Sequence, residues 1–458
     1  MIPSRTDMAP RMRRPGRPSA DPSRQAKIHV ILLSIAAGSF GIFTIVDSYV
    51  GGGSVSGEPD WVLPAARFLV QPLLVGAWLV LRRRARRPMM VLPDAPGVVA
   101  IGLALWFIVG AAVADDPVAS LGRAVPFLFM IWGAFCVVGP SLATPGGTPA
   151  LFRAAFVVSL LLASSAVAGA FLGHQPTWGV SGDRFYGPLS ATTLGPICVT
   201  GLLGALVVWK VTAKRFARLV VVAASLWLLA VLVVARARGS YVFMLVSACV
   251  YFLLVSRRTM AIRVCAAAFV AALALVVAWN WWSLDLSQSS VAAYLRLDQR
   301  DMLAQRSEVW EANGSFWTQS PIFGIGLGNE ATLSETAKRS HSAYLSTLNE
   351  GGVPALTLLL IAVAWIVARS LRTALRHPLA ELRLLGVLAV TMVIGTAALG
   401  AVETTLINAA STSNTLVWIT AGAAVAASRQ VAHRAKSARR VPQRTFAGPA
   451  RRMPSPAV

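Results

Sequence analysis

Runs of about 20 apolar residues recur along almost the whole chain, separated by short polar breaks. At 1.5 Å rise per helical residue, such a run spans a hydrocarbon core about 30 Å thick. The runs cover residues 28–50, 61–81, 97–114, 125–138, 151–172, 191–209, 219–235, 241–255, 264–279, 353–368, 384–402 and 406–427. This pattern predicts an all-α integral membrane protein of about 12 transmembrane helices. One interval breaks the rhythm: residues 284–340 are mostly polar, and loops longer than about 15 residues are uncommon unless functional or disordered. It is not of low complexity, which favours function. Within it, Met302, Leu303, Arg306, Val309, Trp310, Phe316 and Trp317 recur near helical spacing, so residues 300–320 read as an amphipathic helix able to lie along a membrane surface. Pro321 ends that helix, and Gly324, Gly326 and Gly328 then form a turn with unusual backbone angles. A second helix is expected near His341, which would share a face with Leu345 and Leu348 and lead through Glu350–Gly352 into the tenth span.

Composition agrees with the pattern. Of 458 residues, 56% are hydrophobic and 13% charged, against about 25% charged in a soluble domain. The net charge of +23 would suit a nucleic-acid binder, but its distribution does not. With the N-terminus in the cytoplasm, only nine of the 42 basic residues fall on the alternate loops that would face out. That asymmetry is the positive-inside signal that orients helices during insertion, so the basic excess is topological and no nucleic-acid partner is expected. Both termini are then cytoplasmic. Residues 1–27 and 429–458 read as disordered basic tails that flank a polytopic domain over 28–428, with 284–340 external. The first apolar run is long for a signal peptide and lacks a small-x-small cleavage site, so it reads as a retained anchor. The four cysteines lie in or at the ends of spans and suggest neither a disulfide framework nor a metal cluster.

Few residues outside the bilayer could carry chemistry. His174 and His341 are the two outward-facing histidines, and His341 stands at a loop–helix junction where an imidazole can take a proton near neutral pH. Taken alone, it could equally be a helix-start residue bonded to backbone. Arg236 and Arg238 close the seventh span in Ala235-Arg236-Ala237-Arg238-Gly239-Ser240. A charge at the bilayer centre costs at least about 2.5 kcal/mol, so they sit near the outer interface or pair with an anion. Arginine's planar fork of donors suits phosphate. Arg306 and Arg184 stand open between ion pairing and phosphate binding. No outward Asp-x-Asp, His/Cys ligand set or Gly-x-x-x-x-Gly-Lys loop is present, so neither a metal-held donor nor ATP hydrolysis is indicated. No cofactor is expected.

An ordered set of motifs carries a resemblance. Arg238-Gly-Ser follows a hydrophobic span, and a long outer loop contains Arg306-x-x-x-Trp310. Pro321-Ile-Phe-Gly-Ile-Gly-Leu-Gly328 comes next, and His341-Ser-Ala-Tyr344 leads to Asn349-Glu-Gly-Gly352. Together with Arg184-Phe-Tyr-Gly-Pro188, this set resembles the O-antigen ligase and polymerase family of polytopic glycosyltransferases over most of residues 115–370. One departure is His341-Ser342, where the family often has His-Asn. The resemblance implies a donor glycan carried on undecaprenyl diphosphate at the outer face of the cytoplasmic membrane. The acceptor would be a glycan, lipid or protein hydroxyl. Arg238 and Arg306 would bind the diphosphate, with Arg236 as a helper and Arg184 a further candidate, and His341 would activate the acceptor. The chemistry is coherent without metal, because arginines can stabilise a diphosphate leaving group. An alternative class, a transporter or flippase of lipid-linked glycan, is disfavoured because no internal repeat is present and the candidate residues cluster outside rather than at midplane.

The charge asymmetry makes a direct prediction. A cysteine introduced at Ser334 should react with a membrane-impermeant thiol reagent on intact cells; labelling only after permeabilisation would invert the topology.

Overall fold

The computed structural model describes residues 62–84, 88, 90–171, 191–235, 237–255, 309–333, 340–408 and 411–440. Among them every regular element is helical. The long helices are α1 (Val62–Arg84), α2 (Ala95–Ala111), α3 (Pro117–Leu142), α4 (Gly147–Phe171), α5 (Ala191–Val211), α6 (Arg215–Val234), α7 (Arg238–Val255), α8 (Ala343–Arg376), α9 (Ala380–Gly400) and α10 (Thr412–Arg440). Six of these, α3, α4, α5, α6, α8 and α9, are long and apolar enough to cross a bilayer, while α2 and most of α7 are shorter apolar helices. The protein is therefore a multi-pass membrane protein. Ten of the twelve apolar runs coincide with helices; runs 28–50 and 264–279 lie outside the described residues, as does most of 284–340.

The chain forms two compact units, with α1, α7 and α10 divided between them. The first takes in the described parts of Met1–Ala77, Thr144–Tyr241 and Ala410–Leu416. Its centre is α5, whose Gly201 and Gly204 face α4 and α6. A Cβ on Gly204 would stand 2.8 Å from the Phe152 carbonyl oxygen, and one on Gly201 would meet Ser159 and Leu228 under 3 Å. Small residues let helix backbones approach this closely where no hydrophobic force drives helix association. Ser159 Oγ donates to Ile197 O at 2.9 Å, and Trp227 Nε1 reaches Ser164 Oγ at 3.1 Å.

The second unit takes in Trp78–Ala143, Val242–Ala409 and the described part of Val417–Val458. Two of its helices depart from regular geometry, and each departure has a stated cause. In α3 a π-turn at Gly133–Val137 is followed by Pro140, which has no N–H to offer the Cys136 carbonyl four residues before it. The Cys136 carbonyl accepts from Val91 N–H at 3.0 Å, and Val137 O accepts from Arg82 Nη1 at 2.8 Å. The π-turn brings α3 against α10, where a Cβ on Gly422 would strike the Ala134 carbonyl.

In α8 the break is at Gly352, with φ 72° and ψ −176°, two residues before Pro354. Proline has no N–H, so the Glu350 carbonyl has no partner four residues on. Val353 N–H turns away to Pro321 O at 2.9 Å, which leaves the Asn349 carbonyl without its own i+4 donor. The preceding glycine turn fills both vacancies: Ile325 N–H donates to Asn349 O at 2.9 Å and Gly326 N–H to Glu350 O at 3.0 Å. Gly324, Gly326 and Gly328 all have positive φ, and a Cβ on Gly324 would fall 2.4 Å from the Glu350 carbonyl carbon. From α2, Trp106 Nε1 donates to Gly351 O at 2.8 Å while its ring stacks on Phe323, and Arg123 of α3 donates to Gly328 O.

Gly352→Ala should be strongly destabilising, because the left-handed backbone alone costs an L-residue about 1–2 kcal/mol and the new Cβ would meet Ile322 O at 2.2 Å. Gly102→Ala in α2, where nothing stands within 4 Å, should melt in detergent at or slightly above the parent temperature. Equal melting of the two variants would contradict the packing described.

Candidate active site

The sequence placed His341 on the face of a helix with Leu345 and Leu348. The structure moves it off that helix. Ser342 is extended (φ −135°, ψ 123°) and acts as the N-cap of α8, its Oγ accepting from Leu345 N–H at 3.4 Å. The helix therefore starts at Ala343, and His341 lies one residue beyond the cap with φ 51°. Among the described residues it is the one non-glycine with positive φ. Histidine tolerates that region better than most residues, but holding it there still costs about 1–2 kcal/mol.

The turn is held from both sides, and Ser340 Oγ stands 3.4 Å from Ser342 O across it. Ala343 N–H donates to the Glu403 carbonyl at 3.1 Å, Trp310 Nε1 donates to the Ser340 carbonyl, and the Ser340 and Ser346 hydroxyls stand 2.9 Å apart. The imidazole is half exposed, at 50% of its side-chain area, with Nδ1 3.8 Å from Glu403 Oε2; that carboxylate is only 13% exposed. The separation is that of an ion pair rather than a hydrogen bond. Nδ1 faces the carboxylate, so Nε2 is the nitrogen left for another group. A histidine backed by a carboxylate is held in one orientation and stabilised once it gains a proton.

Behind this turn lies a second carboxylate. Glu330, in the one-turn helix Glu330–Leu333, is fully buried. Its Oε2 accepts from Ser346 Oγ at 2.6 Å, and its Oε1 from Asn349 Nδ2 at 3.0 Å and Asn313 Nδ2 at 3.4 Å. Burial of a carboxylate is tolerable only with such a complete set of donors.

The other candidates are placed less fully. Arg238 is the first residue of α7, in the first unit, whereas His341 belongs to the second. The start of α7 packs on Gly195 of α5, where a Cβ would come 2.1 Å from Ser240 Oγ and 2.8 Å from Ala237 Cβ. Arg184, Arg236 and Arg306 lie outside the described residues. Arg123 lies inside α3, because Asp116 caps that helix at Pro117 by accepting Ala119 N–H at 2.9 Å.

Two acidic residues escaped the sequence reading. Glu403 stands in the break after the eleventh run, and counting crossings from a cytoplasmic N-terminus puts that break on the same side as 284–340. Parity was the available signal. Glu330 had none: its partners lie 16 to 19 residues away with no periodicity to mark them.

Residues 223–360 match the family model described as O-antigen ligase. The match contains Arg236, Arg238, Arg306, Glu330 and His341; Arg184 precedes it and Glu403 follows it. No curated protein matches the chain.

The cap geometry accounts for the departure at Ser342, because serine and asparagine are both strong N-caps. Ser342→Asn should retain the parent melting temperature in detergent, whereas Ser342→Ala should cost about 0.5–2 kcal/mol. A destabilised Asn variant would argue against capping as the role of this position.

Proposed function

We propose, on the match of residues 223–360 to the O-antigen ligase family model, that the protein is a metal-independent glycosyltransferase. It takes a glycan from undecaprenyl diphosphate at the outer face of the cytoplasmic membrane and ligates or polymerises it onto a glycan, lipid or protein hydroxyl. Both termini are cytoplasmic in this reading, and the site lies on the external side, where a lipid-linked donor presents its diphosphate at the interface.

The observation that carries the proposal is the half-exposed His341 turn with the Glu403 carboxylate 3.8 Å behind Nδ1. The acceptor hydroxyl gives its proton to Nε2 as its oxygen bonds to the anomeric carbon of the donor. The bond from that carbon to the diphosphate oxygen breaks, and undecaprenyl diphosphate departs with the electron pair. Glu403 holds the ring and stabilises the imidazolium. Such a base is worth about 10²–10⁴-fold. Arg238 and Arg306 carry the developing negative charge on the diphosphate, with Arg236 beside Arg238 and Arg184 a further contributor. Guanidinium donors suit this because a diphosphate leaving group needs charge stabilisation rather than a proton.

The test is transfer by purified protein in nanodiscs, with synthetic lipid-diphosphate donor and a glycan acceptor. His341→Ala should abolish transfer while donor accumulates on the outer leaflet in cells. Arg306→Lys and Arg238→Lys, which keep charge but lose the bidentate fork, should fold normally and transfer poorly. EDTA should leave the parent rate unchanged. Full activity of His341→Ala would remove the base, parent rates in both lysine variants would remove the diphosphate clamp, and inhibition by EDTA would remove metal independence. Donor trapped on the inner leaflet would point to export instead.

A further inference from the structure

We infer that Glu330 is a positioning residue that fixes the left-handed turn carrying His341, acting through Ser346 and Ser340. The inference rests on the base role proposed for His341 and names what sets that residue's geometry.

Ser346 Oγ donates its single hydrogen to Glu330 Oε2, 2.6 Å away. With its hydrogen committed, Ser346 meets Ser340 Oγ, at 2.9 Å, as an acceptor, and the Ser340 hydroxyl is the donor of that pair, nearer to Ser346 than to the Ser342 carbonyl at 3.4 Å. The polarity of the chain is thus set from its buried end: Ser340 to Ser346 to Glu330. Ser340 is the residue before His341, and its other polar group, the carbonyl, is held from the opposite side by Trp310 Nε1. Gripped at both the hydroxyl and the carbonyl, Ser340 has no freedom to rotate, and His341 is held at φ 51° from its N-terminal side. Ala343 N–H on the Glu403 carbonyl fixes the C-terminal side.

Glu330 is also tied to the glycine turn and the broken helix. It follows Gly328 and Asn329 directly, and Asn349, whose Nδ2 it accepts, is the residue whose carbonyl receives Ile325 N–H. One buried carboxylate therefore joins the helical residues 309–314, the broken segment of α8 and the His341 turn through Asn313, Asn349 and Ser346. A group meant only to fill a buried space would be better apolar, because a half-satisfied polar network is worse than none. Here every hydrogen bond that reaches Ser340 through Ser346 depends on the carboxylate remaining an acceptor.

The test uses full-length protein in nanodiscs with the same donor and acceptor. Ser346→Ala cuts the relay without touching the asparagine bonds to Glu330, and Glu330→Gln keeps the shape while allowing the hydroxyl polarity to reverse. Both should hold the donor KM and lower kcat by about tenfold to hundredfold, the scale of a small misplacement of a reacting group. Ser346→Thr, which keeps the hydroxyl, should recover most of the loss. Carbethoxylation of His341, followed by mass spectrometry with the other histidine peptides as internal standards, should change rate in the two disruptive variants. A merely structural carboxylate would lower the melting temperature and leave kcat of the folded fraction and the His341 rate at parent values; that result would overturn the inference. Failure of the base reading is distinguishable, because it appears as parent turnover in His341→Ala whatever Glu330 does.

Discussion

An α-helix in an apolar environment has no water to repair a missing hydrogen bond, and α8 is missing two. Pro354 supplies no donor for the Glu350 carbonyl, and Val353 directs its N–H to Pro321 rather than to Asn349. Both carbonyls are met by Ile325 and Gly326 from the segment that precedes the helix. The glycines at 324 and 352 are where they are because backbone passes backbone at distances that exclude a Cβ, and at Gly326 a Cβ would strike the Ala114 side chain. From this one exchange of partners the surroundings follow. Trp106 is drawn onto Gly351, Arg123 onto Gly328, and Glu330 is placed beside Asn349, within reach of Ser346.

The same exchange ties the chemistry to the fold. His341 stands in a turn that costs energy to hold, and that turn is held by Trp310, by Ser346 of α8 and by the break after α9. A strained residue persists where its surroundings over-determine it. The imidazole is thus exposed enough to meet a substrate while its backbone is fixed on both sides.

What the sequence made legible divides along physical lines. Apolar length is a strong signal, so the runs from 61–81 through 406–427, apart from 264–279, coincide with helices. Boundaries depended on caps. Asp116-Pro117 starts α3 eight residues before the apolar run begins at 125, and Ser342 starts α8 eleven residues before the run at 353. Gly351, Gly352 and Pro354 looked like the edge of a span because breakers usually end helices; here other backbone supplies the lost bonds and the helix continues beyond them. The final helix runs past Ser428 to Arg440, with Arg429 bonded to Asp94 at 2.8 Å and Gln430 to Ala143 O at 2.9 Å. In the candidate site, His341 was singled out by its chemistry, but its left-handed backbone was invisible because histidine, unlike glycine, does not announce one. Glu403 and Glu330 are defined by tertiary proximity, which no local pattern encodes.

The π-turn in α3 and the break in α8 differ in one respect that concerns how the chain is made. The donors for the π-turn, on Arg82 and Val91, and those for the break, on Ile325 and Gly326, all precede the carbonyls they serve. Chains leave the ribosome N-terminus first, at about 5–20 residues per second. Each irregular helix therefore emerges after its repair has already been synthesised. In α8 the interval between donor and acceptor is 24 residues, about one or more seconds of elongation at that rate. For the carbonyls of Cys136, Val137, Asn349 and Glu350, vectorial synthesis and the folded structure agree: each is made after the donor that meets it.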